Sequence, residues 1–416
     1  MPDKARFFYG YIIVIVSFLI MMLILGLHIC FGIFLKPIIA ELGWTRGATS
    51  GAFSLSLVLG GLIGIFMGRL NDRVGPRVVM TINGLLASLG YLLMSQVQSL
   101  WQLYLFYGVM IGVGSNVFVP LLSTIARWFV QRRSMMSGIV NAGSGVGMLI
   151  IPLGVNWLIS AYDWRVSFLV LGVIILVVVV LSAQFLKRDP GKVGQVAYGE
   201  NNTAEEISSF GIKAFSLKEA MLTRQFWLFL AVLLCYGFCF FSMQVHIAPY
   251  ATDIGISATG AATILATIGG ATVIGHIGLG STGDKIGYKS AFLIGIILVA
   301  LAVFVLLLAR ELWTFYLFAV FLGLAFGDCG TQESPLVVWL FGLTSHGVIL
   351  GFCAFSFTLG AAIGPVMSGY IFDVTGNYQV AFFVFAALSI VTVILTIFLK
   401  STIAESTLKT TNSKAL

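Results

Sequence analysis

Five ionisable side chains interrupt apolar runs of this chain: His28, His246, His276, Asp328 and Glu333. Placing such a group inside a membrane span costs about 2.5–3.5 kcal/mol on insertion scales, so each needs a reason to be there. A histidine takes or releases a proton near neutral pH, and when protonated it offers a charge and two N–H donors to an anion. A desolvated carboxylate can cycle a proton. His276, Asp328 and Glu333 are therefore candidates for proton coupling, and His276 and His246 for substrate contact. The competing readings are structural: His276 as a neutral imidazole bonded to a neighbouring helix, and Asp328 as the permanent partner of a protonated histidine. Asn116 and Asn141 supply amides that can hold a carboxylate, and Phe118 and Phe355 supply rings that can pack an apolar tail. Lys36 either attracts anions or snorkels to headgroups.

The elements that position these groups follow from composition. Of 416 residues, 59% are hydrophobic and 9% charged, with a mean hydropathy of +1.03. Soluble domains carry roughly 25% charged residues. Many apolar runs reach about 20 residues, enough to cross a hydrocarbon core of about 30 Å as helix, and helices satisfy their own backbone groups in lipid. An all-α membrane protein is expected, with spans at 9–35, 48–70, 77–96, 101–129, 134–158, 165–187, 226–251, 257–282, 288–310, 312–341, 345–372 and 378–400. On this register Asp328 lies near mid-depth, level with Asn116. His276 lies roughly 9 Å from mid-span at helical rise.

Charge sets the orientation. Nineteen Lys and Arg residues fall on one side and only Lys36, Arg46, Arg165 and Arg310 on the other. Both termini and the long polar segment are thus expected in the cytoplasm, with the protein in the cell membrane (inner or plasma). The net charge of +7 then reflects topology and anionic lipid rather than nucleic acid. The polar segment divides the chain into 1–188, a linker at 189–224, and 225–416. The linker's middle is too polar to bury, and Ser216 and Glu219 have the spacing of a capping box. Its Asn201-Asn202-Thr203 sequon lies on the cytoplasmic side, where no glycosylation is expected. Cys30, Cys235, Cys239, Cys329 and Cys353 all fall in apolar runs with no metal or disulfide spacing. No cofactor or metal is expected.

The two halves repeat. "GRLNDRVGPR" at 68–77 matches "GSTGDKIGYK" at 280–289, a shift of 212. Pro37, Glu41 and Gly43 match Pro249, Asp253 and Gly255 at the same shift; Gly112 and Trp128 match Gly323 and Trp339 at 211; Pro152 matches Pro365 at 213. Two parallel six-span repeats imply a pseudo-two-fold axis along the membrane normal and a central site between halves.

Residues 68–77 carry Gly68, Leu70, Asp72, Arg73, Gly75 and Arg77 in the pattern G-x-L-x-D-R-x-G-x-R. This resembles the loop 2–3 signature of the major facilitator superfamily. Asp72, Arg73 and Arg77, with Asp284, Lys285 and Lys289 in the second copy, are expected to form a gate whose charges pair across the cytoplasmic ends of the halves. "FYGYIIVIVSF", "GIFLKPIIAELGWTR", "AGSGVGMLIIPLGVNWLISAYDWRVSF" and "IAPYATDIGIS" resemble segments of the monocarboxylate transporter branch. In that branch the eighth span usually carries an arginine for the carboxylate and an acidic residue one turn earlier. Here the resemblance puts His276 and Thr272 at those positions, both departures. By the same resemblance spans four, five, ten and eleven line the cavity.

The expectation is an alternating-access secondary transporter coupling protons to a small monocarboxylate or related organic anion, with the monomer as functional unit. His276 and Asn116 would hold the carboxylate. The rivals are proton-independent exchange or export of another solute, and a membrane sensor on the same fold. A sensor normally carries an appended signalling domain, and only sixteen residues follow Lys400. No nucleophile elbow, phosphate loop or metal spacing suggests an enzyme.

Overall fold

The computed structural model describes residues 8–44, 46–199 and 215–402. Twelve helices in it are long and apolar enough to cross a bilayer. The first six are α1 (Gly10–His28), α2 (Gly51–Val74), α3 (Pro76–Met94), α4 (Leu100–Trp128), α5 (Arg133–Ala161) and α6 (Trp164–Gln184). The last six are α7 (Arg224–Ile247), α8 (Thr263–Ile286), α9 (Tyr288–Leu308), α10 (Leu312–Phe341), α11 (His346–Phe372) and α12 (Gln379–Ile397).

The sequence spans hold, with one shift of meaning. The repeated motif is mostly helix rather than loop: α2 and α8 run through Asp72 and Asp284 and stop at Gly75 and Gly287, with φ of 88° and 90°. Such positive φ is a conformation that glycine adopts at little cost, and Pro76 then starts the next helix. Asp72 therefore projects from the last turn of α2, and Asp284 from the short closing segment Thr282–Ile286 of α8.

Each half is held by close helix crossings. A methyl group on Gly147 of α5 would strike the Met22 carbonyl of α1, and one on Gly360 of α11 would strike the Leu234 carbonyl of α7. These pairs are related by the repeat, 22 to 234 and 147 to 360. Lipid offers no hydrophobic drive to bring helices together, so small residues that permit dispersion contact between backbones carry the packing.

Two helices are irregular. α4 contains a π-helical stretch, Tyr104–Ile111, and breaks at Ser115–Val117 before resuming as Phe118–Trp128. α8 carries a π turn at Gly275–Leu279. The capping box is present: Ser216 Oγ accepts from the Glu219 N–H at 3.4 Å, and Glu219 Oε2 accepts from the Ser216 N–H at 2.9 Å. The middle of the linker, with Asn201 to Thr203, lies outside the described residues. So does the Lys36 side chain.

Candidate functional site

The halves meet along a seam at the face that carries the α2–α3 and α8–α9 turns. Asp72 reaches from α2 to the start of α11: Oδ1 accepts from the Gly347 N–H at 3.2 Å and Oδ2 from the Val348 N–H at 3.1 Å. Asp284 reaches from α8 to the start of α5, where its oxygens accept from the Ser134 N–H at 3.0 Å and the Met135 N–H at 2.9 Å. Each carboxylate thus occupies the N-terminus of a helix in the other half. Free N–H groups and the positive end of the helix dipole favour an anion there.

This corrects the expected gate chemistry. Among the described residues no ion pair joins the halves. Asp72 pairs with Arg127 of its own half at 3.4 Å, and Arg127 sends its inter-half bond to the Leu343 carbonyl at 3.0 Å. Arg77 donates to Gln184 at 2.9 Å and Lys289 to the Ile397 carbonyl at 2.7 Å, each within its own half. Arg73 and Lys285 are exposed. The basic residues of the motif anchor helix ends, while the acidic ones cross the seam. Helix geometry explains this: the carboxylates lie one turn inside the glycine stops, on the face turned to the partner half.

Above the carboxylates the seam is tight. A methyl on Gly68 would strike the Gly347 carbonyl, and one on Gly138 the His276 carbonyl. Ser134 Oγ donates to Gln332 Oε1 of α10 at 2.6 Å, Asn141 Nδ2 donates to the Gly330 carbonyl at 2.9 Å, and Ser334 Oγ donates to the Leu122 carbonyl at 3.4 Å. Further from that face, Val273 lies against Gly145, and Phe355 and Thr358 against Gly61. These contacts run from the ends of the helices to about mid-span. They describe a molecule closed at the basic face.

His276 sits in the π turn of α8, 3% exposed. Its Nδ1 lies 3.0 Å from Thr331 Oγ1 of α10, and Thr331 Oγ1 in turn donates to the Gly327 carbonyl at 2.8 Å. The latter bond uses the hydroxyl proton, so Nδ1 is the donor to Thr331. Gly330 leaves the room: a methyl there would lie 3.3 Å from His276 Cε1. Insertions of this kind recur at functional sites because they re-aim a side chain. Thr272, one turn earlier, is buried and donates to the Ile268 carbonyl at 2.9 Å.

Asn116 lies at the break in α4, half-buried, beside Gly60 and Gly64 of α2; its Nδ2 donates within α4 to the Val113 carbonyl at 3.2 Å. Phe118 and Phe355 are half-buried. The described contacts of Asn116 are with α2 and α3 and those of His276 with α5 and α10, so the two are not brought into contact. Asn141, expected to be free for substrate, is committed to the Gly330 carbonyl.

The carboxylates of α10 diverge. Gly330 faces His276 of α8, its carbonyl taking the Asn141 amide of α5, and Asp328, two residues and about 200° away, turns the other way. Its Oδ2 faces α9, where a methyl on Gly295 would approach to 2.9 Å. Asp328 therefore lies behind the seam, facing α9. Its Oδ1 accepts from Gln332 Nε2 at 3.1 Å. Glu333 is buried, with no described hydrogen bond to Oε1.

The outer histidines are tied within their own halves. His246 Nε2 donates to the Pro365 carbonyl at 2.9 Å, leaving Nδ1 to accept from the Tyr378 hydroxyl at 3.0 Å. His28 lies within 3.2 Å of Ser115 Oγ and 3.3 Å of Ser56 Oγ, against Phe53 and Tyr107. Both are consistent with satisfied structural histidines.

Sequence reasoning missed Arg127, Ser134, Gln332, Ser334 and His346. The last is fully buried at the start of α11, with Nε2 at 3.1 Å from the Ser334 carbonyl. A signal for Gln332 and Ser334 existed: "DCGTQES" at 328–334 is a polar run inside an apolar span.

A model of the Major Facilitator Superfamily matches residues 11–327 and 247–415. Monocarboxylate transporter 13 of Rattus norvegicus is 25% identical over 402 residues, covering 93% of this chain and 87% of the relative. Monocarboxylate transporter 11 of Mus musculus is 25% identical over 395 residues, covering 92% and 85%. Among solved structures, the proton:xylose symporter XylE aligns with a TM-score of 0.77 at 13% identity, covering 95% of this chain and 96% of that one. FucP in the outward conformation aligns with a TM-score of 0.72 at 16% identity, covering 95% and 100%. At these identities the structures bear on the fold alone.

Proposed function

We propose that this chain, which belongs to the major facilitator superfamily, is a proton-coupled secondary transporter for a small monocarboxylate or related organic anion. The observation that carries the mechanism is the reciprocal clamp, Asp72 on the start of α11 and Asp284 on the start of α5. Two carboxylates that each hold a helix of the opposite half keep one face shut. Releasing both lets the halves, 1–188 and 225–416 joined by the linker at 189–224, rock about a central site. The basic face is then the cytoplasmic one, in the inner or plasma membrane, with both termini on that side and the monomer as the working unit. The chemistry of the substrate class rests on the monocarboxylate transporters to which the chain is similar, together with His276.

In this reading His276 and Asn116 hold the carboxylate once the seam relaxes, with Phe118 and Phe355 packing its apolar part. Opening moves Gly138 off the His276 carbonyl and frees Asn141 from Gly330, so both groups become available together. Asp328 and Glu333 handle the coupled proton. Proton-independent exchange is the second reading. What favours it is the placement of Asp328 against α9, away from the seam.

Proteoliposomes loaded at neutral pH and diluted into acidic buffer test both, using radiolabelled L-lactate, pyruvate and acetate separately. Symport predicts accumulation above equilibrium that collapses with a protonophore and falls at least tenfold in His276→Gln. Unchanged uptake and pH profile in that variant would remove His276 from the site. Counterflow that runs equally well without a gradient would select exchange, and no uptake of any of the three acids would refute the substrate class.

A further inference from the structure

The halves repeat each other in the clamp but not in α10. At the offset of 211 that relates α4 to α10, Asp328, Gln332 and Glu333 correspond to Val117, Leu121 and Leu122. The first half has apolar residues at these positions, so the polar cluster is particular to α10 and not a demand of the repeat. All three are buried, where a polar side chain needs partners.

Gln332 has partners on both sides of the seam. Its Oε1 accepts from Ser134 Oγ of the first half at 2.6 Å. Its Nε2 donates to Asp328 Oδ1 at 3.1 Å and approaches the Leu279 carbonyl at 3.4 Å. Ser134 is the residue whose backbone N–H is held by Asp284. Room for this junction comes from Gly283, where a methyl group would strike Gln332 Oε1 and lie 2.7 Å from Ser134 Oγ. A primary amide is planar, so fixing its oxygen fixes the direction of its N–H bonds. While the seam is closed, Ser134 holds the amide in the orientation that serves Asp328. When α5 leaves with its half, that tether goes with it.

We infer that Gln332 is a positioning residue that ties the protonation of Asp328 to closure of the basic face. This rests on the proposal that Asp328 handles the coupled proton. The titratable groups facing Asp328 are Tyr236 of α7 and, on its own helix, Cys329 and Glu333. α9 presents Gly295 to it, and His276 of α8 is engaged by Thr331 instead. None of these reaches the other half in the way Gln332 does. The link is also economical in geometry: one side chain joins the helix that moves to the carboxylate that does not face the cavity. It resolves the apparent mismatch between a proton role for Asp328 and its position behind the seam.

Infrared titration of the full chain in lipid nanodiscs, without substrate, reads the carboxyl C=O band from about pH 4 to about pH 10. Asp328→Asn identifies the Asp328 contribution by its loss. Gln332→Leu, which places in α10 the residue found at the equivalent point of α4, is expected to move that midpoint by about half to one pH unit, the effect of one hydrogen bond to a carboxylate. Ser134→Ala, which leaves the backbone clamp to Asp284 intact, should move it in the same direction. The double variant should move it no further than Gln332→Leu alone, since the two act in series. An Asp328 band unmoved by Gln332→Leu, or shifts in the two single variants that add, would overturn the link while leaving the proton role standing. A titration unchanged by Asp328→Asn would overturn both.

Discussion

Replacing Asp72 with asparagine tests the clamp most directly. The side chain is 12% exposed and engages three donors: the Gly347 and Val348 N–H groups at 3.2 and 3.1 Å, and Arg127 at 3.4 Å. A hydrogen bond to a charged group contributes about 1.5–3 kcal/mol, and a charge at a helix N-terminus adds about 0.3–1 kcal/mol. Asparagine keeps one carbonyl acceptor at nearly the same place, so it loses one of the two inter-half bonds and weakens the other. In the opened state Asp72 regains water, which offsets part of the loss, leaving a net effect of about 2 kcal/mol. At about 1.4 kcal/mol per decade this shifts the closed-to-open ratio roughly 30-fold. Spin labels at exposed Val130 and Phe398, one in each half near the basic face, would report it as growth of a longer-distance population in nanodiscs. Asp284→Asn should shift the same population by less, because Asp284 is exposed and water competes for its carboxylate. The reasoning fails if Asp72→Asn leaves the distances unchanged while Arg73→Ala and Lys285→Ala lengthen them, since the seam would then be held by the basic residues.

Two further outcomes follow from groups outside the seam. Glu41 accepts from the Trp164 indole at 2.6 Å and from Arg165 Nε at 2.9 Å, stapling the far end of the first half. Glu41→Ala should cost about 1–3 kcal/mol by leaving a buried indole N–H unpaired, read as a lower unfolding temperature with the label distances unchanged. Tyr378→Phe removes the donor to His246 Nδ1, and should lower the unfolding temperature while leaving the pH profile of uptake alone; a moved profile would show that His246 has more than a structural role.

The sequence carried the architecture because its signals are redundant. Hydropathy, the Lys and Arg asymmetry and four span pairs at one offset all constrain the same twelve helices, and none depends on a side chain's direction. The site was legible only as a list of types. His276 and Asn116 were found because an ionisable or amide group in an apolar run is costly. Their directions were not, since a π turn in α8 and a break in α4 shift the helical phase of everything that follows. Asp328 illustrates the limit. Its depth was readable by counting, but whether it faces the cavity or α9 depends on a rotation of about 200° relative to Gly330, which counting cannot fix across an irregular neighbour. The partners of Asp72 and Asp284 were hidden for a different reason: opposite charges in the motif suggested ion pairs, whereas backbone N–H groups at helix starts are invisible to a reading of side chains.

The pseudo-symmetry separates two kinds of demand on the chain. Closing one face is required of both halves, and both meet it with the same device, a carboxylate one turn before a glycine stop that caps a helix across the seam. In the proposed symport, coupling is required only once, because a single protonation event per cycle can bias a two-state movement. A second coupled site in the first half would add another buried polar cluster with its desolvation cost and a second proton to the stoichiometry. Val117, Leu121 and Leu122 in α4 are what the fold uses when no such event is needed. In the proposed proton symporter, the departure of α10 from its repeat partner, rather than the motif shared by both halves, marks where the proton chemistry is to be sought.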